Sequence, residues 1–111
     1  MFWRVRLAEP AQQDFAAILY YTRDTFGVQQ AEIYEDRIIT SLEKLEEGPH
    51  VAGSMLRNAM LQLYTLHITL GGRRGRHFIA YRPVGNDVIE VLRILHDASD
   101  LERHVSEWMH Q

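Results

Sequence analysis

The sequence predicts an α+β fold of the order β-α-α-β-β-β-α, a helical hairpin packed on a small antiparallel sheet with a short C-terminal helix. Three observations predict it. Residues 9–47 carry apolar side chains at helical spacing, interrupted once at Gly27. Residues 61–96 are rich in β-formers and broken only by glycine-containing turns. A short amphipathic stretch closes the chain after Ser99. The chain has 111 residues, of which 46% are hydrophobic and 24% charged. That is ordinary globular composition and suits a single domain over 1–111.

The elements follow in order. Phe2 to Leu7 alternates, with Phe2, Arg4 and Arg6 on one side and Trp3, Val5 and Leu7 on the other, as in a strand with one buried face. Glu9-Pro10 opens a helix, because proline is tolerated at the first helical position. Ala11, Phe15, Ile18, Leu19 and Thr22 form its stripe, and Phe26 extends it to the stop at Gly27. Tyr20 and Tyr21 fall at the stripe's edge as packing residues with wet hydroxyls. From about Gln29 to Glu47, Ala31, Tyr34, Ile38, Leu42 and Leu45 repeat every three or four residues, and Gly48-Pro49 ends the run. A connection this short joins the helices as an antiparallel hairpin.

His50 to Ala59 reads as a loop with at most one helical turn near Leu56. Leu61 to Leu70 reads as a strand whose Gln62, Tyr64, Leu66, Ile68 and Leu70 face the core, leaving His67 pointing away. Gly71 to Gly75 reads as a turn holding Arg73 and Arg74. It precedes no helix, so it is no phosphate-binding loop. Arg76 to Arg82 is the next strand, with Arg76, Phe78, Ala80 and Arg82 on one face and His77, Ile79 and Tyr81 on the other. After the turn Pro83–Asp87, Val88 to Leu95 is apolar on both faces and reads as a central strand. There Ile89, Val91, Arg93 and Leu95 share one face. Arg93 on such a strand requires a partner or a ligand. Ser99-Asp100-Leu101-Glu102 is a capping box, and Leu101, Val105 and Trp108 form the stripe of the last helix.

Composition narrows the function. The chain contains no cysteine, so disulfide and thiolate chemistry are excluded. No apolar run reaches the roughly 18 residues of a membrane span, and the N-terminus lacks a signal peptide's apolar stretch. A cytoplasmic protein with no membrane contact is expected. The net charge of −3 is unevenly spread: residues 1–47 carry −4, residues 48–86 carry +5 without a single acid, and residues 87–111 carry −4. Eleven of the twelve cations are arginine, which favours planar bidentate contacts with carboxylate or phosphate.

The six histidines lack metal-ligand spacing, so no metal and no cofactor are expected. An acid–base site for phosphodiester cleavage needs a base, an acid and a cation. His77, Tyr81, Arg82, Arg93 and His96 supply those types, with Glu90 nearby in sequence. Each also has a structural reading: Tyr81 as core, Arg93 paired with a helix acid, His96 as a cap.

Arg76-His77-Phe78 with Tyr81-Arg82, a glycine turn, Arg93-Ile94-Leu95-His96 and Asp100 resembles the ParE-type toxins of the RelE/ParE toxin–antitoxin superfamily. The likeness covers essentially the whole chain, including Phe26-Gly27 between the helices. It implies a toxin neutralised as a hetero-oligomer by a ribbon-helix-helix, ParD-like antitoxin encoded beside it. It also implies DNA gyrase as the target, and hence plasmid stabilisation through protein–protein interaction. RelE-like relatives instead cleave mRNA on the ribosome without a metal. This chain departs from them: its last helix is acidic, Thr65 and His67 stand where nuclease members often carry arginine, and lysine is absent after Lys44. Direct nucleic-acid binding is therefore not expected. Ser99 stands where ParE relatives often have methionine, which leaves the last helix's role in target contact open. The residues expected to contact partners are Arg57, Arg73, Arg74, Arg76, Arg82 and Arg93. The alternatives are the RelE-type endoribonuclease and a catalytically silent relative.

Overall fold

The computed structural model describes residues 2–97 and 101–110. The elements are β1 (Arg4–Leu7), α1 (Glu9–Phe26), α2 (Val28–Lys44), β2 (Met55–Asn58), β3 (Leu63–Leu70), β4 (Arg73–Val84), β5 (Val88–His96) and α3 (Leu101–Met109). The five strands form one sheet in the order β1-β5-β4-β3-β2. The α+β class and the β-α-α-β-β-β-α order hold, with two refinements. β1 joins β5 in parallel, so the sheet is mixed. β2, inside the stretch read as a loop, adds an antiparallel edge strand beside β3.

Gly27 makes the helical hairpin. Its φ of +99° disfavours any side chain, and it separates α1 from α2 without a further residue. The hairpin packs on one sheet face. Ala11, Ile38 and Leu45 are buried against Leu66, Ile68, Ile79, Tyr81, Ile89, Val91 and Ile94, with Phe15, Ile18, Tyr34 and Leu42 packed around them. Phe26 does not continue the α1 stripe; it is 64% exposed, and Tyr20 and Tyr21 also stand in solvent. The stripe stops short because the chain turns away from the sheet at Gly27.

The second sheet face is covered too. Leu63, Thr65, Phe78, Ala80 and Leu95 are buried. From α3, Trp108 closes a cavity of about 50 Å³ together with Leu61, Leu63, Leu92 and Arg82. Hence Leu63 and Thr65, read as outward-facing, are core residues of this second layer. His67 is half-buried beside Phe78, at a ring separation of 5.5 Å. The capping box cannot be followed, since Ser99 and Asp100 lie outside the described residues.

Two features of β4 shape the site. Between β4 and β5, Ala80 pairs with Arg93 but Tyr81 pairs with Val91, so Leu92 is an extra residue. This bulge reverses the facing of everything after it. Ile94 and His96 therefore share the hairpin face with Ile89 and Val91, and Arg93 does not share it with them as strict alternation predicts. At the other end of the hairpin, β4 begins at Arg73, within the stretch read as a turn. Only Gly71 and Gly72, at φ +56° and +81°, make the reversal.

Candidate protein-binding surface

The six arginines expected to contact partners fall into four environments. Arg73, Arg74 and Arg76 emerge where β4 leaves the Gly71-Gly72 turn, and all three are exposed. Arg73 pairs across the ladder with Leu70, and Arg74 with Thr69. Gly75 between them is buried, and a Cβ there would lie 2.5 Å from the Ile68 carbonyl oxygen. This close backbone approach fixes the arginine-bearing segment to β3.

Arg57, on edge strand β2, is exposed and donates from Nε to Thr65 Oγ1 at 2.8 Å. Arg82 lies on the α3 face and pairs with Glu90 at 3.2 Å, while Arg6 pairs with the other oxygen of the same carboxylate at 3.1 Å. One glutamate thus ties β1, β5 and β4 together. Arg93 is engaged internally. Its Nε and Nη2 donate to the two oxygens of Asp14 at 2.7 and 2.9 Å, and Asp14 Oδ2 also accepts the Ile94 N–H at 2.9 Å. The reason is topological: the β1 ladder ends at Leu7 opposite Val91, leaving a β5 donor without a strand partner, and α1 brings Asp14 to it. The hydrogen bond and charge of Asp14 raise the Arg93 pKa further, against the opposing effect of burial.

A histidine group sits at the same end of the sheet as the three exposed arginines. His77 and His96 are direct cross-strand partners, with ring centroids 5.2 Å apart and the planes nearly perpendicular. From α2, Tyr34 Oη lies 2.5 Å from His77 Nδ1. Burial pushes His77 down to about 4, helped by the neighbouring charge of His96 and opposed by Asp14 and Asp97. Burial pushes Tyr34 up to about 12. At neutral pH both side chains are therefore uncharged, and a single hydrogen bond joins Tyr34 Oη and His77 Nδ1. On the opposite face His67 Nε2 lies 3.1 Å from Asp97 Oδ1. That hydrogen bond, with the charges of His67, Arg74 and His96, holds the Asp97 carboxyl below its ordinary range.

The five residues weighed as an acid–base set do not converge. Tyr81 is fully buried, donates to the Pro49 carbonyl at 2.7 Å and stacks on Tyr64, so its hydroxyl is closed to a substrate. Burial also raises its pKa to about 12. Arg82 is on the other face with Glu90, and Arg93 is held by Asp14. Only His77 and His96 remain adjacent. Among the described residues, no three of His, Asp or Glu are placed to hold a metal. Sequence reasoning missed Asp14, Tyr34 and Glu90 in these roles. Asp14 and Tyr34 carry no local signal, since their partners lie 79 and 43 positions away.

The family model for the ParE toxin of the type II toxin–antitoxin system parDE matches residues 5–101. The chain belongs to the ParE toxin family. Toxin ParE1 of Mycobacterium tuberculosis, recorded for strains CDC 1551 / Oshkosh and H37Rv, is 28% identical over 104 residues, covering 92% of this chain and 97% of that protein. Two solved structures share the fold. A chain of the chromosomal ParDE toxin–antitoxin system from P. aeruginosa superposes with a TM-score of 0.69 at 19% identity, covering 85% of this chain and 95% of that one. A chain of the M. tuberculosis RelBE2 toxin–antitoxin complex superposes with a TM-score of 0.58 at 19% identity, covering 89% and 95%. This ParE-family chain is thus the toxin type of a type II system. In it, His77, Arg82, Arg93 and His96, which carried the resemblance, serve largely to join strands and helices.

Proposed function

We propose that this chain, acting as a single toxin domain over 1–111, inhibits DNA gyrase by protein–protein binding and is neutralised by a cognate ParD-like antitoxin in the cytoplasm. One observation carries the reading. Arg73, Arg74 and Arg76 are presented together in solvent at the start of β4, while Tyr81, Arg82 and Arg93 of the acid–base set are buried or ion-paired away from the histidines. A cluster of exposed guanidinium groups suits bidentate recognition of carboxylates on a protein partner. The antitoxin reading is supported by the toxin–antitoxin assemblies in which both structural relatives were solved. Its tail is expected to be acidic and apolar by complementarity with the same arginines. Arg57 and Arg82 extend the contact surface, and Arg93 acts on it indirectly by fixing β5.

Two assays on purified protein test the proposal together. Gyrase supercoiling is expected to be inhibited, with inhibition relieved by the antitoxin, and ribosome-bound mRNA is expected to stay intact. Intact supercoiling with cleaved mRNA would replace the gyrase reading by the RelE-type nuclease. Silence in both assays, without growth arrest on expression, would mark a silent relative.

A further inference from the structure

The α1–α2 hairpin turns a second surface to solvent, one that includes none of Arg73, Arg74 and Arg76. Ala16, Leu19 and Tyr20 from α1 and Val28 and Ala31 from α2 line a groove of about 310 Å³. The lining positions repeat the same spacing on both helices: 16, 19, 20 and 23 on α1, and 28, 31, 32 and 35 on α2. That spacing is one continuous stripe per helix. The exposed apolar surface continues around the Gly27 turn, where Phe26 is 64% and Val28 60% exposed. Apolar surface this continuous marks an interaction site more often than a bare face.

The charges of the groove select its occupant. The α1 wall carries Arg23 and the α2 wall carries Glu32 and Glu35. Arg23 lies over its own Tyr20 ring at 4.9 Å, which sets the guanidinium at the rim. Its one carboxylate contact, Asp24 at 3.9 Å between exposed side chains, is too loose and too solvated to hold it. Among the described residues, Glu32 and Glu35 make no ion pair. The two walls therefore carry opposite charges, which makes the face self-complementary.

We propose that this groove is the interface between two copies of the chain, related by a two-fold axis parallel to the helices. Such an axis lays α1 of each copy over α2 of the other and preserves the level along the helices. Arg23 stands four residues before Gly27 and Ala31 four residues after it, so Arg23 of one copy comes level with Ala31 of the other. Glu32 and Glu35 of that copy are then about 1.5 and 6 Å further along the axis. Both fall within reach of a guanidinium. The apolar stripes meet between the helices as the core of a four-helix bundle. Helices of 18 and 17 residues cover about 500 Å² per copy, at the low end for a specific interface, so the dimer is weak and reversible. The interface uses none of Arg57, Arg73, Arg74, Arg76 or Arg82, so each dimer presents its arginine surface twice.

Sedimentation velocity of the isolated full chain from about 1 µM to 1 mM tests this. The expected result is a concentration-dependent shift from the 13.0 kDa monomer to twice that mass. Two variants sharpen it: Arg23→Glu, and the double variant Glu32→Lys/Glu35→Lys. Each alone sets like charges against each other and is expected to self-associate at least about tenfold more weakly. An equimolar mixture restores attraction on both sides and is expected to form a heterodimer at least as tight as the wild-type dimer. Far-ultraviolet circular dichroism and thermal melting confirm that these exposed substitutions leave the fold intact. A wild-type chain that stays monomeric throughout, as a groove reserved for another partner's helix would leave it, overturns the proposal. So does a dimer indifferent to the charge variants, or a mixture that fails to pair.

Discussion

Asp14 shows how much a single side chain carries in this fold. It receives both arms of the Arg93 guanidinium and the Ile94 N–H, and its side chain is only 15% exposed. Asp14→Ala strands a guanidinium and an edge donor together. It is expected to lower the unfolding free energy by about 2–3 kcal/mol, with Asp14→Asn losing less because it still accepts the backbone bond. Urea denaturation of the three proteins checks the order. His77 makes a different demand. Its folded pKa, about 4, lies below the 6.5 of the free side chain. Between those values the unfolded chain takes up a proton that the folded chain refuses, so stability falls as pH drops from about 6.5 to 4. The site is partly exposed, and solvent screening reduces the effect to about 1–2 kcal/mol. Stability measured against pH should therefore fall less steeply in His77→Phe than in wild type over that window. Parallel curves would show that His77 does not titrate this way.

Among the elements, the β3–β4 hairpin is the most constrained. A Cβ at Gly75 would collide with the Ile68 carbonyl, a backbone atom that moves only with its strand. Gly75→Ala is expected to cost about 1–3 kcal/mol and to raise hydrogen exchange first in residues 67–76. The same elements show what the sequence discloses. The helices, β3, β5 and the turn at Gly27 are legible because apolar periodicity and a required positive φ are local properties. β2 is not: Met55, Leu56 and Arg57 are all exposed, so the strand has no alternation to read and exists only through its bonds to β3. The Leu92 bulge is equally silent, and missing it assigns Arg93 and Ile94 to the wrong faces. Glycine content likewise extends the apparent turn over Arg73 and Arg74, which β3 in fact captures as strand. The arginine surface was legible as a charge asymmetry. Which arginine is held internally was not, because Asp14 lies 79 positions from Arg93.

At the scale of the whole molecule, both sheet faces are covered and charge is separated in space. An acidic hairpin covers one face, α3 borders the other, and three arginines project from one end of the sheet. No helix among the described residues is long and apolar enough to cross a membrane. This arrangement supports the proposed binding role: Tyr81 is buried and Arg82 and Arg93 are ion-paired, while Arg73, Arg74 and Arg76 are exposed. The most direct test compares gyrase supercoiling inhibition by three purified proteins. These are the wild type, the triple variant Arg73→Glu/Arg74→Glu/Arg76→Glu, and the double variant His77→Phe/His96→Ala. Wild type and the histidine variant are expected to inhibit alike. The arginine variant, with its fold verified by thermal melting, is expected to lose at least about tenfold in potency. Full inhibition by the arginine variant, or its loss in a folded histidine variant, would contradict a toxin that acts by arginine-mediated binding.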